Sequence, residues 1–97
     1  MQVTLRKSPK PVKKWRVTFK NGIHVDFGQK GYSDFTLHKD PVRMKRYVKR
    51  HSGMGETWSK SGLHTPGFWS RWLLWSRPSL EEAKKYMQKR FRITYSS

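Results

Sequence analysis

Apolar and polar residues alternate along Trp15-Arg16-Val17-Thr18-Phe19 and again along Ile23-His24-Val25-Asp26-Phe27. Alternation with period two is the mark of a half-buried strand, because successive side chains point to opposite faces. Asn21-Gly22 lies between the two runs, and this pair suits the positive φ angles of a tight hairpin turn. An antiparallel hairpin is predicted. Its apolar face carries Trp15, Val17, Phe19, Ile23, Val25 and Phe27; its polar face carries Lys14, Arg16, Thr18, His24 and Asp26, with Lys20 near the turn.

The pattern then changes. Gly28 to Lys39 contains Gly31, Ser33 and Asp34 and reads as a loop with one short helical turn near Tyr32 to Phe35. Asp40-Pro41 starts a helix, since Asp accepts from free amides and Pro fits the first helical position. The helix should run to about His51 and stop before Gly53 and Gly55, with Met44, Tyr47, Val48 and His51 on its apolar face. Thr65-Pro66 opens a second helix through Trp75, with Trp69, Trp72 and Leu73 sharing a face and Phe68 and Trp75 adjacent. Such an aromatic stripe is core before it is a stacking platform. Ser79-Leu80-Glu81-Glu82 forms a capping box for a last helix to about Phe91, burying Leu80, Ala83, Met87 and Phe91. Ile93 to Tyr95 reads as a short strand.

Ahead of the hairpin, Met1 to Lys20 holds seven basic residues and no acidic one. Pro9 and Pro11 flank Lys10 and disfavour helix. Residues 1–12 therefore read as a basic arm, extended or disordered, and 13–97 as one α+β domain: a short antiparallel hairpin packed with about three helices. A chain of 97 residues has room for one core, in which a fold of this size buries about three-fifths of its unfolded surface. Five Trp, five Phe and four Tyr supply that core from few positions.

Charge changes the picture from fold to function. Twenty-two Lys and Arg face six Asp and Glu, a formal net charge of +16. Self-repulsion of that size opposes the compact state unless a polyanion relieves it. Nucleic acid is the commonest such partner for a small basic domain. The expected phosphate contacts are Lys10, Lys13, Lys14 and Arg16 near the hairpin, and Arg43, Lys45, Arg46, Lys49 and Arg50 on the Asp40-capped helix. Arg71 and Arg77 complete the set. Five cations with no anion inside one helix forgo all pairing between residues four apart, which favours a binding face over a merely solvated one.

Nothing in the sequence singles out catalytic chemistry. There is no nucleophile motif and no Gly-rich phosphate loop, and the six acids are few for a metal-dependent nuclease, the less favoured enzymatic alternative. His38 and Asp40, flanking Lys39, admit a metal or acid–base pair, but a capping or turn role outweighs it. Glu56 near His51 is equally unspecific. The reading is therefore non-enzymatic, without catalytic or metal-ligating residues and without cofactor. With no cysteine, disulfides and thiolate sites are excluded. The N-terminus has no apolar leader segment, and Phe68 to Trp75, interrupted by Arg71, is far too short to span a bilayer.

Gly31-Tyr32-Ser33-Asp34-Phe35-Thr36, His38-Lys39-Asp40, Arg46-Tyr47, Arg50-His51 and above all Gly67-Phe68-Trp69-Ser70-Arg71-Trp72-Leu73-Leu74-Trp75 carry a resemblance. Over residues 13 to 80 the chain resembles an uncharacterised family of small basic proteins of large double-stranded DNA viruses, especially algal giant viruses, with algal and protist relatives. The resemblance implies a virion, or the nucleus or cytoplasm of an infected cell, and supplies no site residues. It sets two roles side by side: sequence-tolerant binding and condensation of the genome, DNA before RNA, or cementing of capsid proteins from inside the shell. Exposure of Trp58, in the Gly-rich segment outside both helices, would favour the second.

Overall fold

The computed structural model describes residues 1–96. Four strands, β1 (Gln2–Lys7), β2 (Lys13–Phe19), β3 (His24–Gln29) and β4 (Thr94–Ser96), form one sheet in the order β3-β2-β1-β4. Helices α1 (Phe35–His38), α2 (Pro41–Ser52), α3 (Pro66–Trp69) and α4 (Leu80–Phe91) complete the α+β domain, with α3 running on into a π-helical segment, Ser70–Leu74.

The hairpin pairs Trp15 with Phe27 and Val17 with Val25, as the alternation requires. Its turn is one residue longer than the Asn-Gly pair suggests. Phe19 N–H donates to the Ile23 carbonyl at 2.8 Å and Gly22 N–H to Phe19 at 3.0 Å, leaving a Lys20-Asn21-Gly22 loop. Only Gly22 takes positive φ there, at 88°, the conformation of a three-residue loop closing on a glycine. Ile23 consequently falls outside the ladder and is 49 % exposed.

The basic arm expected over residues 1–12 is, from Gln2 to Lys7, an inner strand. It pairs antiparallel with β2, Val3 opposite Phe19, and parallel with β4, Val3 opposite Tyr95. The physical reason is a second, shorter alternation: Val3 and Leu5 join the core face while Thr4 and Arg6 point away. Val3 is 1 % exposed. Pro9 and Pro11 sit in the β1–β2 connection, where the ladder needs no amide from them.

One face of the sheet is covered. Val3, Val17, Phe19, Val25 and Phe27 meet Phe68, Trp69, Leu73 and Leu74 from the α3–π segment and Ala83, Met87 and Phe91 from α4. Buried indoles find acceptors: Trp69 Nε1 donates to the Leu63 carbonyl at 2.6 Å and Trp72 Nε1 to that of Trp58 at 2.8 Å. These two bonds tie the Gly-rich segment after α2 to the core. Gly62 must be glycine, because a Cβ there would occupy the space of the Thr57 carbonyl. Ser79 caps α4, Glu82 N–H donating to Ser79 Oγ at 3.1 Å, but the reciprocal half of the expected capping box differs: the Glu82 carboxylate accepts from Ser79 Oγ at 3.2 Å.

Candidate nucleic-acid interface

Asp40 caps α2 by accepting from Val42 N–H at 2.9 Å, with Pro41 in the first turn. The helix is seated by Tyr47, which is 6 % exposed. From that anchor the positions of its cations follow. Arg43, Arg46 and Arg50, spaced three and four apart, share one flank, and Lys45 and Lys49 lie on the side opposite Tyr47, away from the core. All five side chains are exposed. Among the described residues none of them has a carboxylate within ion-pair distance.

Arg43 and Arg50 of this flank line a cleft of about 520 Å³, which Arg46 does not line. One wall is α2, with Arg43, Tyr47, Arg50 and His51; the facing wall is the end of the hairpin, with Lys13, Lys14, Gly28 and Gln29; the floor is Gly67, Ser70, Leu74 and Trp75. Segments far apart in sequence thus converge on one concavity. Two features of the backbone make this possible. Gly28, at φ 74°, lets β3 pass against Leu74, whose Cδ1 would lie 2.9 Å from a Cβ. Gly67 lies close to the Glu56 carboxylate, where a Cβ would be 3.1 Å from Cδ.

The two acids in the cleft are both engaged. Asp34 caps α1 through Thr36 N–H at 3.0 Å and pairs with Lys14 Nζ at 2.6 Å. Glu56 Oε2 lies 2.9 Å from His51 Nδ1, and Oε1 accepts from Trp58 Nε1 at 3.0 Å. His51 in turn stacks on Tyr47, ring centroids 4.0 Å apart. Burial pushes the Tyr47 phenol above its ordinary range, so it stays neutral. Lys13, Arg43 and Arg50 are left as the uncompensated charges of the cleft, an arrangement that suits phosphate oxygens.

The other expected contact residues divide differently. Arg16 holds Asp26 through two bonds, 2.9 and 3.2 Å; Ser8 Oγ donates to the same carboxylate at 2.7 Å, and Lys10 Nζ stands 3.6 Å from it. Arg16 keeps the Asp26 carboxyl down at about 2, well below the ordinary 3.8. Lys14 and Arg16, expected among the phosphate contacts, are therefore committed to buried acids because those acids need counterions. Arg71 is turned inward. Its guanidinium lies 4.4 Å from the Trp72 ring and 5.4 Å from that of Trp58 and donates to the Trp75 carbonyl at 2.7 Å. Burial pulls its pKa down, and its Nε is buried without a partner among the described residues. Arg77 stands apart from the cleft, over Tyr86 at 4.1 Å.

His38 and Asp40 form a turn. His38 Nδ1 accepts from Asp40 N–H at 2.9 Å, its ring packs against Trp75, and burial lowers its pKa. Asp40 is occupied as the α2 cap. Sequence reasoning missed Arg90, whose Nη1 donates to Tyr86 Oη at 2.6 Å; the i, i+4 spacing on one helix was the available indication.

These features define a small α+β domain with a cationic cleft at one end of its sheet. The chain belongs to the family of unknown function DUF5754, whose profile matches residues 3–51, half of its 97 residues. That span holds the first three strands and nearly all of α2, hence both cationic walls of the cleft. No curated protein and no solved structure matches the chain. No helix among the described residues is long and apolar enough to cross a membrane.

Proposed function

We propose that the chain binds nucleic acid without catalysis and with little regard to sequence, through phosphate contacts from Lys13, Arg43, Arg46 and Arg50. The observation that carries this reading is the α2 flank. Its arginines are exposed and unpaired among the described residues, while all six acids have other partners: Asp26 and Asp34 in ion pairs, Asp40 in a helix cap, Glu82 with the Ser79 hydroxyl, Glu56 with His51, and Glu81 with Lys84. Arginine presents a planar set of donors that matches phosphate geometry. The resemblance to small basic proteins of large DNA viruses fits a genome-condensing role, with DNA the favoured partner.

Titration of unrelated short duplexes across salt concentrations tests the proposal. Engaging some 6–10 phosphates costs about three to five decades of affinity between roughly 50 and 200 mM salt. A strong preference for one sequence that survives high salt would overturn it. The alternative, cementing of capsid proteins, gains nothing from Trp58, whose indole is half-buried, bonded to Glu56 and packed on the core.

A further inference from the structure

On the other flank of the α3–π segment, cations and aromatic rings contact one another in series. Arg77 lies 4.1 Å over Tyr86, Arg90 lies 5.9 Å from Tyr86 and 4.5 Å over Trp72, and Arg71 lies 4.4 Å over Trp72 and 5.4 Å from Trp58. Tyr86 Oη accepts from Arg90 Nη1. The cleft takes Gly67, Ser70 and Leu74 from this segment; the series takes Arg71 and Trp72 and continues onto α4. The two cationic surfaces therefore lie on two sides of one helical segment, whose width is about 10–12 Å with side chains.

The series is built from unequal parts. Trp72 is 6 % exposed and Arg71 is half-buried, so both serve as supports that no ligand base can reach by stacking. Arg77 and Arg90 are exposed, and among the described residues neither faces a carboxylate within ion-pair distance. Arg77 Nη1 donates to the Ser76 carbonyl at 3.0 Å and Arg90 Nη1 to Tyr86 Oη; the remaining N–H donors of each guanidinium are left for an anion, and the side chain, laid on a ring, has less entropy to lose on binding. Arg71, Arg77 and Arg90 gather three like charges whose described partners are carbonyls, a phenol and ring faces, none of them a full negative charge.

We infer that Arg77 and Arg90, braced by Tyr86 and Trp72, form a second row of phosphate contacts, so that one nucleic-acid ligand spans the α3–π segment and touches both rows. The inference rests on the nucleic-acid reading proposed above and adds to it a site, a ligand chemistry and a footprint. The ligand is the phosphodiester backbone, because the site's reachable groups are guanidinium edges and its buried ring is closed to bases.

Three proteins separate the inference from the reading beneath it: the parent, the cleft variant R43Q/R46Q/R50Q, and the second-row variant R77Q/R90Q. Each is titrated with one short duplex over a range of salt. In the second-row variant the slope of log affinity against log salt should shrink by up to about two, and R77K/R90K should restore it. If the cleft variant weakens while R77Q/R90Q keeps the parent's affinity and slope, the second row is wrong and the cleft reading stands. If the parent shows no salt-dependent binding, both fall together. Loss of the fold in R77Q/R90Q would appear as a lowered melting temperature. Arginine modification by phenylglyoxal in the parent then decides: bound duplex should protect Arg77 and Arg90, and equal modification with and without duplex would overturn the inference.

Discussion

Tyr47 and Trp75 lie face to face, their ring centroids 4.3 Å apart and their planes 2° from parallel. Through this contact α2, which has few other neighbours in the core, is held against the end of the π-helical segment. His51 covers the Tyr47 ring and is pinned by Glu56, so the three rings and one carboxylate set where Arg43 and Arg50 point. Tyr47→Ala should destabilise the domain by about 3 kcal/mol, through lost burial and a cavity. It should also weaken nucleic-acid binding at temperatures where the domain remains folded, because the arginine flank loses its register. Tyr47→Phe should do neither. Thermal melts with binding measured well below the transition separate the two effects.

Asp26 makes acid stability legible. Its carboxyl is held at about 2 against an ordinary 3.8, by hydrogen bonding to Arg16 first, with Ser8 and Lys10 assisting and burial opposing. A depressed carboxylate pKa contributes stability that is present above the unfolded value and lost as pH falls through the folded one. The contribution should therefore be full above about pH 4 and disappear toward pH 2. Asp26→Asn, which leaves Arg16 without its counterion, should cost about 1–3 kcal/mol at pH 7. Denaturant melts at pH 7 and pH 2.5 check this; an equal deficit at both would contradict the assignment.

Much of this arrangement is legible in the sequence. The Asp40-Pro41 start, the Ser79 N-cap and the period-two hairpin rest on local rules, and those rules decide locally. The first strand was not readable in the same way. Val3 and Leu5 are only two apolar positions, and their strand is stabilised by partners at Phe19 and Tyr95, the second of which is supplied from the far end of the chain. The basic residues were identified as a population, but their sorting into free and committed charges depended on which of them met Asp26 and Asp34. Lys14 reaches Asp34 across 20 positions, a relation that no periodicity encodes. The π-helical turn likewise has no local signature, yet it places Trp72 toward α4 and Leu74 toward β3.

Trp72 connects core and surface, and its removal should show both. Trp72→Ala should destabilise by about 3–5 kcal/mol. It also deletes the ring that Arg71 and Arg90 rest on and the bond to the Trp58 carbonyl, so the segment from Gly53 to Thr65 should loosen. Amide exchange should accelerate there more than in β2 and β3. Uniform acceleration through the whole domain would place Trp72 in the common core alone.

The two flanks of α2 give the sharpest division between fold and binding. Replacing Arg43, Arg46 and Arg50 by Gln should leave the helix intact, since Gln is nearly as good a helix former. With self-repulsion reduced, thermal stability should stay within about 0.5 kcal/mol of the parent or rise. Affinity for nucleic acid should fall, with a salt slope smaller by up to about three. Lys45 and Lys49 provide the control on the same helix: they carry like charge and are also exposed but do not line the cleft. Lys45→Gln with Lys49→Gln should shrink the slope by less than one, because those side chains meet the ligand only through the diffuse field. If the lysine pair and the arginine trio lose slope in proportion to charge removed, α2 acts as an undirected cation and the cleft has no special part in binding.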